Sequence, residues 1–272
     1  MGRKNRAMLQ RDKQKNKGYG WLAIVLAGAL IYAFNQSEQP SSVSYDEDLS
    51  NAEGAQKLYA LNAGDYHWPA AGNAPISANL LAKNYYLVFD GSGSMSEKDC
   101  GDGQTKLAVA KKAFKAFVDQ LPADANVGLY VFDEHAMDER VTLGVGNRDQ
   151  INSTVRKVKA GGGTPLSSAI EKGYASLTAQ AQAQLGYGEY HLVVITDGMA
   201  SQGYEPGSDV QQILESSPVN IHTIGFCLDE YHSLNQQGLT YYRAASDAKG
   251  LAEGLSDVLA EAPDFTVIEF GK

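Results

Sequence analysis

The chain has few of the residues from which most enzymes and metal centres are built. It contains two cysteines and five histidines in 272 residues. The histidines (His67, His135, His191, His222 and His232) form neither an H-E-x-x-H motif nor any close pairing. A zinc hydrolase or a Ser-His nucleophile system therefore has no recognisable anchor, although Ser92 or Ser94 could in principle serve an envelope hydrolase. A dinucleotide fingerprint is missing as well. Gly91 and Gly93 are followed by Ser96 where G-x-G-x-x-G needs its third glycine, and Asp90 would turn a negative charge toward a pyrophosphate. A phosphoryl-transfer aspartate at Asp90 lacks its usual carboxylate two residues on, because Ser92 occupies that place. No internal repeat is present.

Positive charge is scarce except at one end. Residues 1–20 hold seven basic side chains against Asp12 alone, a balance of +6, so a net charge of −9 leaves the remainder at −15. Phosphates would be repelled over most of such a surface, which excludes non-specific nucleic-acid binding and suits cations better. Charge is also absent from Gly18 to Phe34, 17 uncharged residues with Tyr19, Trp21 and Tyr32 near the ends. That length is the lower edge of what crosses a hydrocarbon core, and the rings suit a headgroup zone. The preceding basic block places residues 1–17 in the cytoplasm and everything after Asn35 outside. The expectation is an uncleaved anchor. A cleaved signal peptide, with the small-x-small Ala27-Gly28-Ala29, and a buried core helix are its alternatives. A single anchor carrying one outward domain suits a bacterial inner membrane facing the periplasm.

Residues 35–81 read as a tether and then a poorly defined segment. Residues 35–50 are polar, 51–61 could form a short helix, and Pro69, Gly72 and Pro75 interrupt the stretch leading up to residue 81. From residue 82 to 262 strands and helices alternate. Strands are expected at Tyr85 to Phe89, Val127 to Phe132, His191 to Thr196, Val219 to Phe226 and Thr240 to Arg243, with an antiparallel return over Glu139 to Leu143. Helices are expected over 104–121, 148–159 and 166–183 and around Leu251 to Leu259. This pattern implies a mostly parallel sheet covered on both faces. The tail 263–272 looks extended and has no assigned place.

Three polar clusters fall at strand ends: Asp90-Gly91-Ser92-Gly93-Ser94 after the first strand, Thr164 between Gly161-Gly162-Gly163 and Pro165, and Asp197-Gly198 after HLVVIT. In open α/β sheets ligands bind at that edge. Two carboxylates and three hydroxyls offer five oxygens, the ligand type preferred by Mg²⁺, which takes six at about 2.0–2.1 Å. Each piece has an ordinary explanation alone. Asp-Gly is a common turn, and Thr164 before Pro165 is a good helix start. Their joint occurrence is more specific.

Taken together, residues 82–262 resemble a von Willebrand factor type A domain. YYLVFD running into Asp90-Gly91-Ser92-Gly93-Ser94-Met95 matches that family's Asp-x-Ser-x-Ser motif, Gly163-Thr164-Pro165-Leu166 its threonine segment, and Ile195-Thr196-Asp197-Gly198 its second aspartate. The resemblance implies a Rossmann-like three-layer α/β fold, with a sheet of about six strands and one antiparallel edge. It also implies a metal-ion-dependent adhesion site holding Mg²⁺ or Mn²⁺, with Asp90, Ser92, Ser94, Thr164 and Asp197 as ligands. An Asp or Glu on a protein partner would complete the shell, and no catalytic residue is implied.

Two further features belong to the same rim. Cys100 and Cys227 are both expected there and are candidates for a disulfide, with two free thiols as the alternative. His232 is a candidate contact at the rim, whereas His191 and His222 fall in strand patterns where a structural histidine is the default. The leading expectation is thus a membrane-tethered, metal-dependent protein-binding domain. The alternatives are a metal-independent structural or assembly module of the envelope and an envelope hydrolase.

Overall fold

The computed structural model describes residues 68–228, 231–236 and 238–260, all within the compact unit Tyr66–Lys272. The expected bilayer contact at 18–34, the helix at 51–61 and the extended tail lie outside the described residues. Among the described residues no helix is long and apolar enough to cross a membrane.

The fold is organised by Lys83–Asp90 (β1), whose residues from Asn84 onward are all buried. Alternation sends Tyr85, Leu87 and Phe89 into one core and Tyr86 and Val88 into the other. Each such burial stabilises the fold by about 2 kcal/mol as an upper estimate. β1 lies between Asn126–Phe132 (β2) and Glu189–Thr196 (β4), parallel to both. Met137–Gly144 (β3) returns antiparallel on β2. Asn220–Phe226 (β5) and Tyr241–Ala245 (β6) extend the far side in parallel, giving the order β3-β2-β1-β4-β5-β6. The mostly parallel six-stranded sheet with one antiparallel edge is therefore as expected.

Helices Lys106–Gln120 (α1), Arg148–Lys157 (α2) and Ala248–Ala260 (α5) contribute to the first core. Leu166–Ala183 (α3) and Gly207–Ser216 (α4) contribute to the second. The last of these was not anticipated. It is short, follows Pro206 in a Gly- and Ser-rich stretch, and has only Val210 and Ile213 as fully buried apolar residues. Helix α3 starts where expected, but its cap corrects the reading of Thr164 as cap and Pro165 as first helical residue. The helix begins at Leu166 with Pro165 before it, and no side-chain cap hydrogen bond is made.

The weakly patterned residues before β1 strap the opposite end of the domain. The Trp68 ring meets Tyr190 edge-on at 4.9 Å, and Ser77 N donates to Ala183 O at 2.8 Å. These contacts fall at the start of β4 and the end of α3. The chain thus enters at the amino ends of the strands, away from the carboxyl rim.

Candidate functional site

Asp90 closes β1 beside the ends of its two neighbours, paired with Phe132 of β2 and one step beyond the Phe89–Ile195 pairing with β4. The chain then turns sharply. Gly91 N donates to Phe132 O at 2.8 Å and Gly93 N to Gly162 O at 3.2 Å, so the Ser92–Ser94 turn is clamped between β2 and the triple glycine. A Cβ on Gly91 would come within 2.6 Å of Val158 Cγ1 and 2.9 Å of Asp133 Cβ, so only glycine fits there.

The five residues singled out in the sequence meet at this rim. Asp90 Oδ1 accepts from Ser92 N at 2.7 Å and Oδ2 from Thr196 Oγ1 at 2.6 Å. Ser92 Oγ and Ser94 Oγ are hydrogen-bonded at 3.1 Å, and Ser94 Oγ donates to Asp197 Oδ1 at 2.8 Å. A Cβ on Gly198 would lie 3.7 Å from Ser94 Oγ and 3.9 Å from Thr164 Oγ1, so both hydroxyls face the same glycine. Thr164 is fixed through its backbone, with its N donating to Ser201 Oγ at 2.9 Å and its carbonyl accepting from Ser201 N at 3.0 Å.

A sixth residue, not foreseen, completes the cluster. Lys106 Nζ lies 3.1 Å from Asp197 Oδ2, 2.8 Å from Glu97 Oε2 and 3.1 Å from Asp99 Oδ2. Its side chain is 5% exposed and that of Asp197 0%. A signal for it was present in the sequence. Lys106 stands at helical spacing with Ala110, Ala113 and Phe117, a lone charge on the buried face of α1.

The electrostatics follow from burial. Desolvation and the Asp197 charge push Asp90 up to about 6, against hydrogen bonds from Ser92 and Thr196. Asp197 is also raised by burial, opposed by Ser94 and Lys106. Burial alone would lower the Lys106 ammonium, but its ion pairs with Glu97, Asp197 and Asp99 outweigh it and hold the group above the usual lysine range.

This arrangement corrects the expected Mg²⁺ or Mn²⁺ ion and, with it, a partner Asp or Glu completing a metal shell. Among the described residues, the one group of three or more His, Cys, Asp and Glu whose ligand atoms lie within 4.8 Å of one another is Asp99, Cys100 and Cys227. Its two sulfurs are bonded to each other, so they cannot serve as thiolate ligands. Asp90 is satisfied by Ser92 N and Thr196 Oγ1, and Asp197 Oδ1 by Ser94 Oγ. Asp197 Oδ2 accepts no hydrogen bond and is compensated by the Lys106 ammonium 3.1 Å away. The residues present therefore do not fit a divalent ion.

The disulfide itself is as expected: Cys100 and Cys227 are joined with Cα atoms 5.8 Å apart. It ties the loop preceding α1 to the end of β5, and Asp99 Oδ2 lies 3.1 Å from Cys227 Sγ. His232 is buried, its Nε2 3.1 Å from Gly198 O and its Nδ1 accepting from Leu234 N at 3.1 Å. Its ring stacks on Tyr242. It braces the loop after Asp197. His191 and His222 sit inside the sheet, with Nδ1 of the first 3.2 Å from Nε2 of the second.

Comparison with known proteins agrees with the fold. An uncharacterised protein, YwmD, of Bacillus subtilis is 29% identical over 161 residues, covering 54% of this chain and 69% of that one. An aerotolerance-related membrane protein of Bacteroides fragilis superposes with a TM-score of 0.50 at 15% identity, over 65% of this chain and 98% of that one. The pilus adhesin SpaC of Lactobacillus rhamnosus GG superposes at 0.53 with 17% identity, over 69% of this chain and 31% of the adhesin. At these identities the structural likenesses establish the fold alone. The model of the von Willebrand factor type A domain matches residues 84–253, and the chain belongs to that family.

Proposed function

We propose that the chain is a metal-independent binding or assembly module of the cell envelope that presents its carboxyl rim to another protein. The observation that carries this reading is the closure of the rim from within. A buried ammonium compensates Asp197, and a covalent bond fixes the adjacent loop. Such a rim is a rigid surface whose shape does not depend on an ion. Its loops expose large apolar side chains, with Met199 at 55%, Tyr204 at 42% and Tyr231 at 89%. Apolar and aromatic side chains of this kind are enriched where proteins bind one another.

In this reading residues 82–262 form the working domain, tied through a polar linker to an anchor at 18–34 and a basic cytoplasmic tail. The uncharged run and its basic flank support that placement. The disulfide supports a compartment outside the cytoplasm, where such bonds persist. Asp90, Ser92, Ser94, Thr164 and Asp197 then shape the rim.

The test is affinity capture with the full chain from an envelope extract, run in parallel with a chelator and with added Mg²⁺. The same partner retained in both arms is the expected result. Capture that disappears on chelation and returns with Mg²⁺ would end this reading.

A further inference from the structure

We infer that Lys106 is a tethered counter-ion, whose ammonium supplies to the buried rim carboxylate Asp197 the positive charge that an oxygen constellation of this type would otherwise draw from a divalent cation. The inference rests on the metal-independent reading above and deepens it by naming the residue responsible.

Three observations carry it. The first is stoichiometric. An ammonium has three N–H donors, and three carboxylate oxygens, from Glu97, Asp99 and Asp197, lie within 3.1 Å of it. The second is burial. Lysine is almost never fully buried unless paired, and this one projects from the buried face of α1 onto a carboxylate with no exposure. The third is fixation. Thr105 Oγ1 caps α1 by accepting from Ala108 N at 3.2 Å, and Lys106 N donates to Glu97 O at 2.8 Å. The Cys100–Cys227 bond holds the loop bearing Asp99. The charge is therefore delivered at a set point and cannot diffuse away.

The same geometry gives the reason a divalent ion does not fit. On Asp197 it would share one buried carboxylate with the ammonium, and two cations a few ångströms apart repel strongly where water is excluded. The Ser94 hydroxyl would also have to give up its bond to Asp197 Oδ1.

The test titrates the full wild-type chain, Lys106→Met and Lys106→Met/Asp197→Asn with MgCl₂ alone by calorimetry, and records urea midpoints with and without the salt. The wild type is expected to give no saturable heat and no shift of midpoint. Lys106→Met is expected to gain saturable Mg²⁺ binding and a midpoint that rises with Mg²⁺, both absent from the double variant. A loss of packing alone would not create an ion site. Should Lys106→Met fail to fold, Lys106→Gln removes the same charge with a polar side chain in its place. Saturable Mg²⁺ binding by the wild type, or none by a folded Lys106 variant, overturns the inference. Chelator-insensitive capture combined with Mg²⁺-indifferent Lys106 variants would remove the counter-ion role and leave the module reading standing.

Discussion

Lys106 Nζ and Asp197 Oδ2 lie 3.1 Å apart, the lysine side chain 5% exposed and the carboxylate fully buried. Two opposite charges taken out of water together cost little net once paired, but either one left alone is expensive. That asymmetry makes the pair a structural element of the rim and not an ornament of its surface.

Lys106→Met is therefore expected to lower the unfolding free energy by about 3–5 kcal/mol, the typical cost of stranding a buried charge. Adding Asp197→Asn to the same chain should recover most of the loss. Glu97, more than half exposed in the same cluster, should cost at most about 1 kcal/mol as Glu97→Gln. Urea unfolding of the four proteins checks this. A Lys106→Met/Asp197→Asn chain no more stable than Lys106→Met would show that the two charges are not coupled.

Cys100 and Cys227 close a loop of sequence separation 127. The paired change Cys100→Ser/Cys227→Ser should cost about 2–5 kcal/mol, and reductant should lower the thermal midpoint of the wild type but not of the variant. Thiol titration of the unfolded, unreduced chain should find no free thiol, since these are its only cysteines.

The buried histidine pair predicts acid sensitivity. Burial, with His222 and Lys83 nearby, holds His191 down to about 3, and burial holds His222 down to about 4. The folded protein keeps both neutral, whereas the unfolded chain protonates them below about pH 6.5. Stability should fall as pH drops from 6.5 toward 4, by about 2 kcal/mol per histidine at pH 5. Asp90 acts in the opposite sense. Raised to about 6 in the fold, it takes up a proton that the unfolded chain binds only at lower pH, and this offsets part of the loss. His191→Phe/His222→Phe, in a row where Tyr85 stacks on His191 and Tyr241 on His222, should remove the decline and leave stability rising slightly toward acid. Chemical denaturation at pH 7.5 and pH 5 measures it.

Gly173 sets α3 close against the sheet. A Cβ there would meet Leu192 Cδ1 at 2.6 Å and Tyr86 Cδ1 at 2.8 Å. Both neighbours are fully buried, so Gly173→Ala should destabilise by about 1–3 kcal/mol despite the better helix propensity of alanine. A gain in the urea midpoint would show that the interface has slack.

Much of the architecture could be read directly. Buried parallel strands announce themselves as continuous apolar runs, as in Tyr85 to Phe89 and Leu192 to Ile195, because both faces are covered. Helix α1 was visible in its apolar stripe, and the two cysteines fell at loop positions that the fold brings together. Helix α4 was hidden because its few apolar residues follow a Gly-Pro-rich stretch. Residues 68–82 were opaque because their order comes from docking on Tyr190 and α3, not from any local pattern.

Residue order alone settled which side chains stand at the ends of which strands, since alternation and helical period are local properties of the chain. It could not settle what those side chains do once assembled. Whether five oxygens hold an ion or one another depends on which charge arrives among them from elsewhere. Here that charge is the ammonium of Lys106, brought to Asp197 by the packing of α1 against the sheet. Electrostatic balance is a property of distances in the folded state, and those are set only when helix and sheet close together.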